Sequence, residues 1–274
     1  MRKIVNSWWR ALVLTAIVAT ASLTRAQDTV RSRGIDASRL SLTLGCGPIY
    51  GVARDCGVSP IIYQTPGINT YCAAILDNNV WRYQIDLHLT GHILCKDAIP
   101  IEDIDVAGYG LSAHLRMGLE RQTMAQEGLR LWIGAGLEDW CSIDYNNRYM
   151  NACVGMGNLV APTLSVRGEQ TMGWLTLSIA AGTAPLGWWF RPGFAYVANY
   201  TTGETEVESF TDNYACHAAA LPLLTGEVGA KIALSNGNKL GVIYQWNFLT
   251  TRNSGDWKYE AAQHSVRLEL SIGF

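Results

Sequence analysis

The chain has 274 residues, a formal net charge of −2, 49% hydrophobic residues and 16% charged residues. A near-neutral chain with no basic patch lacks the electrostatic footprint of a nucleic-acid binder, and no stretch after residue 26 reaches the roughly 18 continuous apolar residues of a membrane-crossing helix. Such a chain can still be integral to a membrane if its strands close into a barrel, because closure satisfies every backbone group internally.

Residues 1–26 predict a cleavable signal peptide. Arg2, Lys3 and Arg10 form its positive region, Ala11–Leu23 its apolar region, and Thr24-Arg25-Ala26 a small-x-small cleavage site. No Cys stands at that site to carry a lipid anchor. Residues 27–38 read as a flexible leader and residues 39–274 as one β domain. Seven cysteines fit an oxidising compartment, and an odd number leaves at least one unpaired within the chain. Cys141 and Cys153 flank one expected loop and form the expected disulfide. The sequence leaves open any pairing among Cys46, Cys56, Cys72, Cys95 and Cys216. No Cys or His spacing fits a metal site, so neither metal nor cofactor is expected.

Arg39–Tyr50 (R-L-S-L-T-L-G-C-G-P-I-Y) alternates and predicts the first strand. Gly51–Gln64 reads as a loop, Thr65–Leu76 as a second strand and Asp77-Asn78-Asn79 as a tight turn. The next segment alternates most cleanly. Trp81, Tyr83, Ile85, Leu87, Leu89 and Ile93 share one face, and Arg82, Gln84, Asp86, His88, Thr90 and His92 the other. Leu94–Asp103 reads as a loop. Ile104–Glu120 reads as a strand with Ser112, His114, Arg116 and Glu120 on its polar face, and Arg121–Glu127 as a turn. Leu129–Asp139 follows, with Arg130 and Glu138 opposite its apolar side chains, and Cys141–Gly157 reads as a loop.

Leu159–Glu169 and Met172–Gly187 predict a hairpin around Glu169-Gln170-Thr171. Trp188–Ala220 is the longest expected irregular segment. Leu221–Ser235 and Lys239–Thr251 predict a hairpin around Asn236-Gly237-Asn238. After a last loop at Asn253–Asp256, the terminal strand sets His264, Val266, Leu268, Leu270, Ile272 and Phe274 against Gln263, Ser265, Arg267, Glu269, Ser271 and Gly273.

These segments predict an all-β chain: a transmembrane antiparallel up-and-down β-barrel of about ten strands, between about 8 and 12. An even count returns both termini to one side, and short turns alternate with longer loops. The alternative, a soluble sandwich, would turn the apolar faces inward. The ending in Phe274 resembles the assembly signal of outer-membrane β-barrels of Gram-negative bacteria. S-L-T-L-G-C-G-P (Ser41–Pro48), P-G-I-N-T-Y (Pro66–Tyr71) with W-R-Y-Q-I-D-L (Trp81–Leu87), L-R-L-W-I-G-A-G-L (Leu129–Leu137) and the terminal S-V-R-L-E-L-S-I-G-F together resemble the small outer-membrane β-barrel proteins of the Bacteroidetes type, a porin-family-like group. The resemblance implies the cell outer membrane as location, its lipid bilayer and the barrel assembly machinery as partners, and no particular activity.

The expected inward face holds Arg82, Asp86, His88, His92, His114, Arg116, Glu120, Arg130, Glu138, Arg167, Glu169, Glu227, Lys231, Arg267 and Glu269. Both signs are present, and buried charges are tolerated only when paired. The first expectation is therefore an ion-pair network filling a narrow lumen. His88 and His92 point the same way but stand about 13 Å apart at strand rise, too far to share a metal. Asp86, His88 and His114 are candidates for a proton-transfer group.

Asp103 and Asp105, with Asp212 and His217, invite comparison with omptins, ten-stranded outer-membrane proteases; omptins carry a tighter Asp-x-His pair than Asp212 and His217 form. Ser112 and His114 invite comparison with barrel lipid A deacylases, without a G-x-S-x-G motif. Trp188, Trp189 and Phe190 read as surface-loop binding candidates or as part of an aromatic girdle. The leading expectation is a structural or surface-recognition barrel without enzymatic activity. A barrel hydrolase and a narrow channel are the alternatives.

Overall fold

The computed structural model describes residues 39–55, 59–78, 80–96, 106–146, 154–192, 214–251 and 258–274. The segments assigned above to the signal peptide and the leader lie outside them. The strands are β1 (Arg39–Asp55), β2 (Ser59–Gln64), β3 (Gly67–Asp77), β4 (Trp81–Cys95), β5 (Val106–Gln126), β6 (Leu129–Asn146), β7 (Val154–Met172), β8 (Leu175–Pro192), β9 (Tyr214–Ala233), β10 (Lys239–Thr250) and β11 (Tyr259–Gly273). They form a single 11-stranded sheet. β2 and β3 follow one another along a single stave, interrupted at Thr65 and Pro66. The ring therefore has ten staves.

Closure is antiparallel. β11 pairs with β10 on one side and with β1 on the other, from Ser41↔Gly273 up to Asp55↔Tyr259. The N–H of Phe274 donates to the Leu40 carbonyl at 2.9 Å. A sheet closed this way has no unpaired edge, so its backbone can sit in hydrocarbon.

Exposure alternates with the side-chain period. In β4 the even residues from Arg82 to His92 are buried, while Tyr83, Ile85 and Leu89 are exposed. Leu111 is 67% exposed, and Leu44, Ile68, Ile133, Ile179 and Leu268 are exposed on other staves. An apolar face running round the whole ring has no counterpart on a soluble monomer. This is a transmembrane β-barrel, and the soluble sandwich falls.

At one end the staves join through tight turns. Asn78 Oδ1 accepts from the Trp81 N–H at 2.7 Å. Glu127 and Gly128 take φ 41° and 85° between β5 and β6, as a two-residue hairpin with the twist of its strands requires. At the other end, here called the mouth, the connections run through residues outside those described.

Several expected boundaries shift. The second stave starts at Ser59 and is broken at Thr65-Pro66, where Pro66 supplies no ladder donor. β5 continues to Gln126 through the expected turn. The turn expected at Glu169–Thr171 lies at Gly173 and Trp174, where Gly173 adopts φ 59°, so Glu169 stays on a strand. β6 and β7 extend into the loop expected at Cys141–Gly157. β8 runs to Pro192 and β9 begins at Tyr214. Trp188, Trp189 and Phe190 are therefore strand residues, and the expected surface loop is shorter at both ends. A bulge opposite Pro185, with Leu221 at φ 47°, interrupts the pattern that would have shown β9 in the sequence.

Candidate functional site: the lumen and its mouth

The inner face is filled in three levels, and the staves position each by side-chain parity. The lowest, near the turns, is an ion-pair network across the lumen. Arg82 of β4 grips Glu169 of β7 with both terminal nitrogens, at 2.6 and 3.3 Å, and reaches Asp77 of β3 at 3.0 Å. Its guanidinium lies 4.1 Å over the Trp132 ring. Arg130 joins Glu169 at 3.3 Å. Arg167 of β7 donates to both oxygens of Glu120 on β5, at 3.2 and 3.1 Å.

In the middle, Arg267 of β11 is 1% exposed. It donates to Glu269 at 2.7 Å, Gln245 at 2.5 Å and Glu227 at 2.9 Å, and lies 4.3 Å over Tyr71. Lys231 reaches Glu269 at 2.7 Å. Arg116 donates to Asp86 at 2.9 Å. His114 Nε2 and Glu138 Oε2 are 2.6 Å apart. His88 and His114 are cross-strand neighbours, with ring centroids 5.6 Å apart. His88 Nε2 lies 3.4 Å from Asp86 Oδ1 but without hydrogen-bond geometry. The candidate proton-transfer group is thus brought together in space without a connected hydrogen-bond path.

The upper level changes character. Trp140, Leu159, Ala161, Ala184, Trp189, Leu223, Leu249, Tyr259, Ala261 and Ala53 pack as one buried apolar cluster. Trp189 stacks on Tyr259 with centroids 5.0 Å apart. Gly157 is required beneath Trp189, because a Cβ there would lie 2.2 Å from the indole ring. The cluster sits mainly on the β7–β11 and β1 side. Towards β2, β4 and β5, Tyr63, Leu94 and Ala107 form a second, smaller buried apolar cluster, and between β4 and β6 the polar pair of His92 Nε2 and Asp144 Oδ1 stands 2.9 Å apart. That pair passes over Gly110, where a Cβ would meet both side chains at 2.1 Å. At the mouth, Arg191 of β8 grips Asp55 of β1 at 2.5 and 3.0 Å.

All the residues named for the lumen network are placed on the inner face. Trp188 and Phe190 face outward from β8, whereas Trp189 is fully buried inside. Cys153 lies outside the described residues, so its pairing with Cys141 stays an expectation. Asp103, Asp105 and Asp212 also lie outside them. The β9 backbone sets His217 in register with Trp189. Ser112 and His114 face a filled lumen beneath the apolar layer, with His114 held by Glu138, which removes them from reach of a macromolecular substrate. Among the described residues no group of three His, Cys, Asp or Glu side chains is arranged to hold a metal ion.

Parity could have found more of the lumen. Trp132 and Trp140 share the phase of Arg130 and Glu138, and Tyr71 and Asp77 share one phase on β3. One cavity in the lumen, of ≈ 40 Å³, has room for a few water molecules. Arg116, Arg167, Glu120, Glu138, Glu227 and Gln245 line it. It is far below the several hundred Å³ of a typical organic-ligand pocket.

No protein-family model matches the chain, and no curated protein matches it. Solved structures do. The outer membrane protease OmpT from Escherichia coli superimposes with a TM-score of 0.60 at 9% identity, covering 86% of this chain and 97% of that one. Neisserial surface protein A gives a TM-score of 0.40 at 8% identity, over 86% and 97% of the two chains. The β domain of the Bordetella autotransporter BrkA gives 0.37 at 11% identity, over 87% and 100%. At such identities the likeness is one of fold: this chain has the fold of an outer-membrane β-barrel protein.

Proposed function

We propose that this is an integral outer-membrane protein that works at its mouth, as a structural or recognition scaffold, and not as a conduit. The observation that carries the reading is the filled lumen. An apolar layer capped by the Arg191–Asp55 pair lies above a dense ion-pair network, and the largest connecting segment, between β8 and β9, is carried at the mouth. A hydrophobic constriction bars ions by excluding water. Membership of the Bacteroidetes-type family is part of this proposal and rests on the sequence motifs alone. The test is single-channel recording of the refolded protein in planar bilayers. Silence is expected from the wild type; steady discrete steps would overturn the reading in favour of a narrow channel.

A second reading is a barrel hydrolase. The segments holding Asp103 and Asp105 (between β4 and β5) and Asp212 (between β8 and β9) leave the barrel at the same end, and OmpT, of similar fold, is a protease. Under this reading Asp105→Ala and His217→Ala abolish cleavage of peptide or lipid ester substrates by folded protein. Absence of both activities in the wild type removes it.

A further inference from the structure

The outward face carries a polar break inside its apolar belt. Asn158 of β7 donates to Asp139 of β6 at 2.7 Å. Both residues share the outward parity of their strands and are half-buried. The register gives their depth. Six residues towards the turns, Ile133 is in register with Arg121, an exposed charge beside Trp81. Six residues towards the mouth stands Tyr145, in register with Tyr109, and both are exposed. Tyr, Trp and Arg gather where a membrane protein crosses from hydrocarbon to headgroups. Six residues of a tilted strand cover about 15 Å of depth, so Asp139 stands well inside the hydrocarbon. Leu115 and Val160 are its cross-strand neighbours. Among the described residues, the other outward carboxylate on a strand is Glu260, which has Arg54 and Lys258; Asp139 has an amide and no cation. The connection from β8 to β9, residues 193–213, holds no Lys, Arg or His. Arg148, between β6 and β7, follows Asn146, about 20 Å of strand from Asp139.

A carboxylate facing acyl chains is costly, and such groups in membranes are found paired. We propose that the outward face of β6 and β7 seats a second copy of this chain, across a two-fold axis along the membrane normal. Such an axis preserves depth, so β6 of one copy meets β7 of the other, and Asp139 meets Asn158 of the partner subunit. The pair supplies what it lacks. Asn158 has a second amide N–H to donate, and Asp139 has a second oxygen to accept it, so two identical faces satisfy each other, as an isologous interface requires. Each carboxylate then accepts from two amides. Cys141 is in register with Asn158 on one side and Ala113 on the other, and small side chains beside the pair let two backbones approach. Apolar contact alone drives no association in lipid, so the exposed Leu111, Ile143 and Leu164 around the pair complete the contact while the hydrogen bonds place it.

The test uses the full chain, labelled in two colours and co-reconstituted in phospholipid vesicles, with association read by energy transfer as the protein is diluted in lipid. Each variant is first checked for a heat-modifiable band. The wild type is expected to associate, with transfer rising linearly with the acceptor fraction, as a dimer requires. Asp139→Leu/Asn158→Leu, apolar like the belt around it, should weaken association about tenfold or more; if the double variant does not fold, Asn158→Leu alone decides. Asp139→Asn keeps hydrogen-bonding capacity and should associate at least as well as the wild type. Thr70→Leu removes an outward polar side chain on β3 and should change nothing. A monomeric wild type, or equal association in the wild type and the Leu variants, overturns the proposal. A loss in Asp139→Asn as large as in the Leu pair would show that the carboxylate seeks a cation, and overturns the second copy as its partner.

Discussion

The lower and upper parts of the lumen are filled by opposite means. Below, charges are matched across the ring: β4 to β7 through Arg82 and Glu169, β5 to β7 through Glu120 and Arg167, β9 to β11 through Glu227 and Arg267. Above, Trp189, Tyr259, Leu223, Leu249 and Leu159 meet without direction or charge. An ion-pair network specifies which staves face each other, because a mispaired buried charge is costly. An apolar layer specifies little but excludes water. One level keeps the ring in register, and the other seals it.

Four substitutions test this division, each read by urea unfolding in detergent and by the heat-modifiable band. Arg267→Met leaves Glu227 and Glu269 with weaker partners and should cost about 3–5 kcal/mol. A cost under about 1 kcal/mol would mean that the network does not hold the ring. Trp189→Ala should cost about 3 kcal/mol and, unlike Arg267→Met, should let ions leak in planar bilayers; a silent variant would place the seal elsewhere. Gly157→Ala drives a methyl into the Trp189 ring and should cost about 1–3 kcal/mol, with changed Trp fluorescence. Tyr244→Phe loses one outward hydrogen bond and should cost no more than about 1 kcal/mol. A larger loss there would show that outward contacts between β10 and β11 help to hold the ring.

The legible part of the fold was the alternation. Trp81 to Ile93, broken only by Gly91, and Gln263 to Phe274 kept period 2, and the residues of their polar faces from Arg82 to His92 and from Gln263 to Ser271 are the ones found inside. Legibility failed where the pattern broke for local reasons. Pro66 splits a stave, and the bulge opposite Pro185 shifts the phase of β9. The Ala-rich run from Ala215 to Ala220, with His217 its one large side chain, gives little contrast between faces, so a strand there read as loop. Trp189 looked like a surface aromatic beside Trp188 and Phe190, and only its odd place on β8 sends it inward.

By itself the sequence determined that the chain is built of long alternating strands, roughly how many, and which face of each strand is polar, because alternation is a local property of consecutive residues; that the apolar face turns outward was decided by the closure of the ring. The sequence could not determine which acid meets which base, or that the polar face gives way to an apolar layer towards the mouth. Those follow from the stagger of ten staves around a closed ring. The stagger brings Arg82 to Glu169, 87 positions away, and Arg191 to Asp55, 136 positions away, and such distances are set only when the barrel closes.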